Sequence, residues 1–342
     1  MLRTISTENK ADEGYIYVSY GHPKYLQHVI ASIVTLRRYD KTRPVALVCT
    51  LKHQQILEQN GIDSLFSHIA IMPEEHASIV GFKHNVHEYM FFNKNIYLDS
   101  DIVWCKSPDT LWEAFVPYKF TITGNLTSDS FFGAIKGIGV LKDVILGRRK
   151  RTLKRFGLTY LSRVQSGVIF AQDYELTQKV CKLASKMLAR KHETHFRSRK
   201  KEAGRTMESC EWSLAMAMSK LNLPVYPWFK GHNSPQLDYI SDLTDHDADF
   251  EYVKCTYYCD DFVFSFRGLK SSWSRNFLTR IFSVFPGKGD HLFTTPYCLH
   301  FGWYHQKDPF YGFSDRVWAS LTNNGDNSND LKLDVSNLKQ VP

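Results

Sequence analysis

The chain has 342 residues, 43% of them hydrophobic, with 43 Lys and Arg against 35 Asp and Glu, a formal net charge of +8. This is an ordinary globular composition, long enough for one large α/β domain or two closely joined ones. It argues against a membrane-spanning or exported chain: no run of about 18 apolar residues occurs, and Met1-Leu2-Arg3-Thr4-Ile5-Ser6 lacks the apolar core of a signal peptide, so a soluble, cytoplasmic protein without a transmembrane segment is expected.

Tyr15-Ile16-Tyr17-Val18-Ser19-Tyr20 alternates as a strand does, Gly21-His22-Pro23 breaks it, and Leu26, Val29, Ile30, Ile33 and Val34 then recur at helical spacing. Pro44 to Thr50 is a continuous apolar run of the buried, parallel kind, and a helix from about Lys52 to Asn60 follows, closed by Gly61. Ile69-Ala70-Ile71 predicts a third strand and Asn95-Ile96-Tyr97-Leu98 a fourth. Ser107-Pro108-Asp109 opens a helix through Leu111, Trp112 and Phe115, and Phe120 to Thr123 reads as another strand. From Asp173 a long helix carries Leu176, Val180, Leu183, Ala184, Met187 and Leu188 on one face, and Cys210 to Leu221 forms another, stopped by Asn222 and Pro224. Gly124 to Gly139, Gly147 to Arg163 and His192 to Met207 read as loops. Tyr226-Pro227-Trp228 opens an aromatic-rich, irregular region, and the tail from Thr322, rich in Asn, Asp and Ser, is expected to lack fixed structure. Alternation of strands and helices over the first hundred residues predicts an open parallel sheet, whose ligands bind beyond the strands' carboxyl ends.

The fourth strand runs into Asp99-Ser100-Asp101. If it persists through them, both carboxylates point the same way and address one site. Hard cations such as Mg²⁺ or Mn²⁺ take oxygen ligands of this kind, completed by phosphate oxygens and water. An Asx turn at a strand end produces the same tripeptide.

Seven scattered cysteines argue against a disulfide framework, and the close pair Cys255 and Cys259 reads as buried thiols rather than half of a zinc site. The positive charge is concentrated. Arg148, Arg149, Lys150, Arg151, Lys154, Arg155 and Arg163 form one cluster, and Arg190, Lys191, Arg197, Arg199, Lys200, Lys201 and Arg205 another. Solvated helix or loop surfaces account for such runs. So does a track for a polyanion: nucleic acid, a phosphorylated glycan or an anionic membrane face.

Five segments in order resemble one family. Tyr97-Leu98-Asp99-Ser100-Asp101 is similar to the Tyr-Leu-Asp-x-Asp of the GT-A glycosyltransferases of family eight, which includes glycogenin and the lipopolysaccharide galactosyltransferases. Lys83-His84-Asn85-Val86-His87-Glu88-Tyr89 stands where that family has a basic residue and helix. Gln165-Ser166-Gly167-Val168-Ile169 resembles its Asn-Ser/Ala-Gly-Val strand, and Glu211-Trp212-Ser213-Leu214-Ala215 its acidic helix start. His300-Phe301-Gly302 with Lys307-Asp308-Pro309-Phe310 resembles its His-Phe/Tyr-x-Gly-x-x-Lys-Pro-Trp. Three departures stand out: Gln165 for Asn, Ser213 for a second carboxylate, and Asp308 inserted before Pro309.

The resemblance implies an α/β fold of the GT-A type, a Rossmann-like nucleotide-diphospho-sugar transferase with a mostly parallel central sheet flanked by helices. It implies a nucleotide-sugar-binding half over residues 14–125, an acceptor-binding half with a C-terminal closing segment over 126–320, and a polar tail over 321–342. Asp99, Asp101 and His300 would hold Mn²⁺ or Mg²⁺, with His300 otherwise a satisfied histidine in an aromatic cluster. Lys83 and Lys307 would neutralise donor phosphates, or are surface lysines. Tyr20 would lie against the nucleobase, or simply pack. Gly302 would join Tyr20, Lys83 and Lys307 in binding the donor, and Gly167 would let the acceptor or donor sugar approach the backbone unless it marks an ordinary strand bulge. Glu211 would face the reactive carbon, with Gln165 beside it in the catalytic pair; a first-turn carboxylate favoured by the helix dipole is the other reading of Glu211. The activity expected is metal-dependent transfer of a sugar from a nucleotide-diphosphate sugar, a UDP-sugar first among them, to a polyanionic acceptor such as modified DNA or a phosphorylated glycan, with retention. A nucleic-acid-binding protein without transferase activity and a nucleotide-sugar hydrolase are the alternatives.

Overall fold

The computed structural model describes residues 11–125, 145–196, 208–259, 263, 269–287, 289–302 and 306–322. The predicted loop from Gly124 to Gly139, much of His192 to Met207 and the polar tail therefore lie largely outside the described residues. The chain divides into two compact units: Met1–Leu26 with Thr42–Asp99 and Ala114–Trp228, and Gln27–Lys41 with Ser100–Glu113 and Phe229–Pro342.

The first unit is built on a sheet of β1 (Glu13–Ser19), β2 (Val45–Cys49), β3 (His68–Ile71), β4 (Lys94–Leu98), β6 (Phe120–Asn125), β7 (Arg163–Ala171) and β8 (Tyr226–Pro227), in the order β3-β2-β1-β4-β7-β6-β8. The segment β5 (Ile102–Trp104) belongs to the second unit. Strands β1 to β4 are parallel, β6 and β8 are parallel to each other, and β7 runs against both of its neighbours β4 and β6. The sheet is thus mostly parallel, as expected. All five residues of β2 are buried, which is why this strand reads as an unbroken apolar run.

Helices α1 (Lys24–Arg37), α2 (Leu51–Gln59), α3 (Ile79–Lys83), α4 (Asp109–Phe115), α5 (Arg148–Phe156), α6 (Tyr174–Ala189) and α7 (Glu211–Lys220) follow in chain order. The predicted stop of α2 is seen in Gly61, whose φ of +64° continues the turn left-handed. Asp173 caps α6, its Oδ1 accepting from the Leu176 N–H at 2.9 Å. The core of this unit joins Ile16, Ala46, Tyr97, Ile122 and Ile169 of the sheet to Val180 and Ala184 of α6 and Trp212, Leu214 and Met216 of α7.

Two segments depart from the sequence reading. Gly147 to Arg163 was expected to be a loop, yet Arg148–Phe156 is helical between Gly147 and Gly157, both left-handed at φ +60° and +61°. The Leu158 N–H closes that helix on Leu153 O at 2.9 Å. Its residues are so uniformly basic that the apolar stripe by which a helix is recognised is nearly absent, only Thr152 and Phe156 being buried.

The stretch beyond Trp228, expected to be irregular, carries the second unit's strands β9 (Gln236–Asp238), β10 (Thr244–His246), β11 (Val253–Tyr258), β12 (His291–Thr294) and β13 (Cys298–His300), with α8 (Ser272–Phe282) and α9 (Asp308–Thr322). Its sheets have the orders β10-β11-β12 and β5-β13-β9. Several of these strands span only three residues, too few for alternation to show. Cys255 is buried as expected, but Cys259 is exposed, because β11 has ended before it. No helix among the described residues is long and apolar enough to cross a membrane.

Candidate active site

Strand β4 ends at Leu98, so the expectation that an extended strand aligns both carboxylates is not met: Asp99-Ser100-Asp101 is a turn leading into β5. In the first unit the antiparallel course of β7 decides what surrounds Asp99. Leu98 lies opposite Val168, so Gln165, Ser166 and Gly167 run past the carboxyl end of β4, and the Asp99 N–H donates to Gly167 O at 3.0 Å.

Lys83, the last residue of α3, is buried and reaches this edge. Its ammonium donates to Ser166 O at 2.8 Å and Ser166 Oγ at 2.9 Å and pairs with Asp99 Oδ1 at 2.7 Å. Burial acts to lower the Lys83 pKa, but Asp99, with a smaller contribution from Glu211, outweighs it and holds the lysine charged. Cys210 Sγ lies 3.7 Å from Ser166 Oγ, and burial pushes its thiol up to about 11, so it stays protonated. Glu211 opens α7, where a carboxylate complements the helix dipole. Tyr20 directly follows β1, and burial, with the Asp99 carboxylate, pushes its phenol well up. Tyr20, Lys83, Asp99 and Glu211, predicted from separated motifs, are thus brought together. Gln165 lies on the same strand edge, its carbonyl accepting from Thr123 Oγ1 at 2.8 Å.

The second unit assembles the other motif residues. Strand β13 lies between β5 and β9, with His300 opposite Ile102 on one side and Asp238 on the other. The Phe301 N–H donates to Asp101 O at 2.9 Å, and the Tyr239 N–H to His300 O at 2.8 Å. His300 Nδ1 is 2.9 Å from Asp238 Oδ1, so this nitrogen carries the proton, and Nε2 is directed toward Asp101 Oδ1 at 3.6 Å. The Lys307 ammonium is hydrogen-bonded to Asp101 Oδ2. Burial acts to raise the Asp101 pKa, but Lys307 and His300, with a smaller contribution from His28, hold this carboxyl well below the usual range. A Cβ on Gly302 would stand 2.8 Å from His300 Cε1 and 3.4 Å from Asp238 Oδ1, so the imidazole has its place only because this residue is glycine.

Asp238 and His28 were not singled out from the sequence. Asp238 ends Gln236-Leu237, a run too short to announce a strand, and its role depends on pairing with β13 some sixty residues later. His28 interrupts the apolar face of α1 and stacks on Tyr311 at a 5.3 Å ring separation, with Phe310 edge-on at 5.0 Å.

The donor set suits a hard or borderline divalent cation, an imidazole nitrogen beside carboxylate oxygens. A lone pair on Nε2 facing a carboxylate oxygen at 3.6 Å calls for positive charge between them, as a proton or a metal supplies. Holding a ligating histidine by its other nitrogen is the usual way a metal site fixes tautomer and ring plane.

The first basic cluster also has a definite form. Arg148, Arg151, Thr152 and Arg155 of α5 line a cleft of about 280 Å³ together with His192, Glu193, Thr194 and His195. Arg155 donates to Glu193 O at 2.9 Å, and His195 Nδ1 lies 3.0 Å from Thr152 Oγ1. Arg163 sits over the Trp228 ring, 4.7 Å from its centroid. Of the second cluster Arg190 and Lys191 are described, paired with Glu193 and Glu208, whereas Arg197, Arg199, Lys200, Lys201 and Arg205 lie outside the described residues.

No family model and no curated protein matches the sequence. Among solved structures the chain is similar to the galactosyltransferase LgtC in complex with donor and acceptor sugar analogues, at 10% identity, with 92% of this chain and 98% of that one covered and a TM-score of 0.45. It is similar to the apo form of the glycosyltransferase GlyE of Streptococcus pneumoniae, at 10% identity, 92% and 62% coverage and a TM-score of 0.46. Mouse xyloside xylosyltransferase 1, apo form, gives 11% identity, 66% and 88% coverage and a TM-score of 0.39.

Proposed function

We propose that this chain is a metal-dependent glycosyltransferase of the GT-A type that moves a sugar from a nucleotide-diphosphate sugar, a UDP-sugar first among them, to an acceptor. Asp99, Asp101 and His300, the residues that the motif resemblance points to, are its proposed ligands for Mn²⁺ or Mg²⁺. The observation that carries this reading is the pairing of His300 Nδ1 with Asp238, which leaves Nε2 directed at Asp101. When bound, the cation would neutralise the charge that grows on the diphosphate leaving group.

The chain's own residues supply the rest. Lys307 and Lys83, ion-paired with Asp101 and Asp99, are the proposed cations for the donor phosphates. Tyr20 offers an aromatic face for the nucleobase at the end of β1. Glu211 and Gln165 are the proposed catalytic pair, either stabilising positive charge at the sugar's reactive carbon or orienting the acceptor hydroxyl. Retention of configuration follows from the motif resemblance. The cleft beside α5 would receive the acceptor, and its three arginines favour an anionic one, a phosphorylated glycan or modified DNA. The seven cysteines, free among the described residues, fit a cytoplasmic setting.

Transfer or donor hydrolysis with Mn²⁺ tests the reading: wild type should turn over UDP-sugars and Asp101→Ala should not, and equal rates would overturn it. The same cleft supports a second reading, a nucleic-acid binder without transferase activity. Salt-sensitive duplex binding with no metal-dependent nucleotide binding would favour that one. Donor turnover that stays independent of every acceptor offered, with no sugar transferred, would mark a nucleotide-sugar hydrolase.

A further inference from the structure

Helix α8 is inside out. Arg275 and Thr279 are its buried residues, while Trp273, Phe277 and Ile281, at i, i+4 and i+8, form an exposed stripe. Trp273 is 70% exposed and stacks on Phe277 with ring centroids 5.0 Å apart, and past the helix end Val284 and Phe285 are 80% and 57% exposed. The polar side is firmly fixed. The Arg275 guanidinium donates to Asp242 Oδ2 at 2.7 Å and to Leu269 O at 2.8 Å, so the apolar stripe is turned outward by specific bonds.

Charge identifies what would cover it. From Phe262 to Gly289 the sequence holds no acidic residue and, besides Arg275, which is buried and paired with Asp242, four basic ones, Arg267, Lys270, Arg280 and Lys288. Lys270 and Arg280 are exposed beside the stripe. A second copy packed symmetrically on this face would set Lys270 and Arg280 against their own kind. An anionic lipid surface satisfies both features: Trp and Phe enter the headgroup boundary while Lys and Arg meet its phosphates.

We infer that α8, with Val284 and Phe285, docks the protein on an anionic membrane surface. The inference goes beyond the transferase reading and stands without it. Sedimentation of the full-length chain with phosphatidylcholine vesicles containing about one third phosphatidylserine tests it, since basic amphipathic helices bind such surfaces. Wild type should cosediment, less so in high salt, and the triple variant Trp273→Ser, Phe277→Ser, Ile281→Ser should lose binding by roughly tenfold or more. The pair Lys270→Glu and Arg280→Glu leaves every apolar side chain in place and should also weaken binding to these vesicles. No binding by wild type, or equal binding by wild type and both variants, overturns the inference. A wild-type dimer that the triple variant converts to monomer assigns the face to a second copy instead.

Discussion

Asp238 holds His300 by Nδ1 at 2.9 Å and so determines that Nε2 faces Asp101. The bond joins neighbouring strands of a three-stranded sheet, β9 and β13, so the ring orientation is set by sheet register before any ligand arrives. Removing an outer partner of this kind from a ligating histidine costs about 10–100-fold in metal affinity. Asp238→Ala should therefore weaken Mn²⁺ binding by that order in titration calorimetry, with the secondary structure retained by circular dichroism. Unchanged affinity would show that His300 needs no orienting partner.

Gly302→Ala tests the same ring from its other side. The residue does not lie in the left-handed region, so alanine suits its backbone, and the effect is steric, a methyl 2.8 Å from His300 Cε1. Displacing the imidazole by even part of an ångström spoils a metal ligand, so Mn²⁺ affinity should fall by roughly tenfold or more, while the melting temperature moves by only a few degrees. Equal shifts in stability and no change in affinity would place Gly302 in packing alone.

Local pattern made the sheet's parallel part legible. Val45–Cys49 shows its burial in composition, and Gly61 and Asp173 announce helix ends by chemistry that acts within a few residues. The two Asp residues were legible as a motif, but not their geometry, because whether β4 continues past Leu98 depends on what pairs with it. The β9–β13 contact was hidden for the same reason. Three-residue strands carry no period, and Asp238 acquires meaning only opposite His300. Helix α5 was hidden by its charge, since a helix with little to bury offers no stripe to read.

Lys83 is the residue whose loss should be felt in both fold and donor binding. Its ammonium serves Asp99 Oδ1, Ser166 O and Ser166 Oγ from a buried position. Lys83→Met would strand these acceptors, and breaking a buried charged pair of this kind costs about 3–5 kcal/mol, less here because Asp99 keeps contact with solvent. Urea unfolding should therefore show a loss of about 2–3 kcal/mol. Adding Asp99→Asn should recover part of it, a coupling of about 0.5–3 kcal/mol. Strict additivity of the two substitutions would mean that the pair contributes nothing as a pair. Donor KM should rise in Lys83→Met if the lysine also meets phosphate.

His84 sets a pH limit on the first unit. It is buried, with Nε2 3.0 Å from Ser213 Oγ and Nδ1 3.2 Å from Ser185 Oγ, and burial pushes its imidazole down to about 4. The folded protein therefore keeps His84 neutral under conditions where the unfolded chain, near the ordinary value of about 6.5, takes up a proton. Its stabilising contribution is complete above pH 6.5 and is lost as pH falls toward 4, reaching about 2 kcal/mol of loss by pH 5 and about 3 kcal/mol at the lower end. His53, His68 and His87 are also shifted down by burial and add in the same direction. Urea midpoints compared at pH 7.5 and pH 5 should fall less in His84→Gln, whose amide can still reach the two serines and does not titrate, than in wild type. Parallel falls in the two proteins would mean that His84 is already protonated in the folded state or opens to solvent before the rest of the unit.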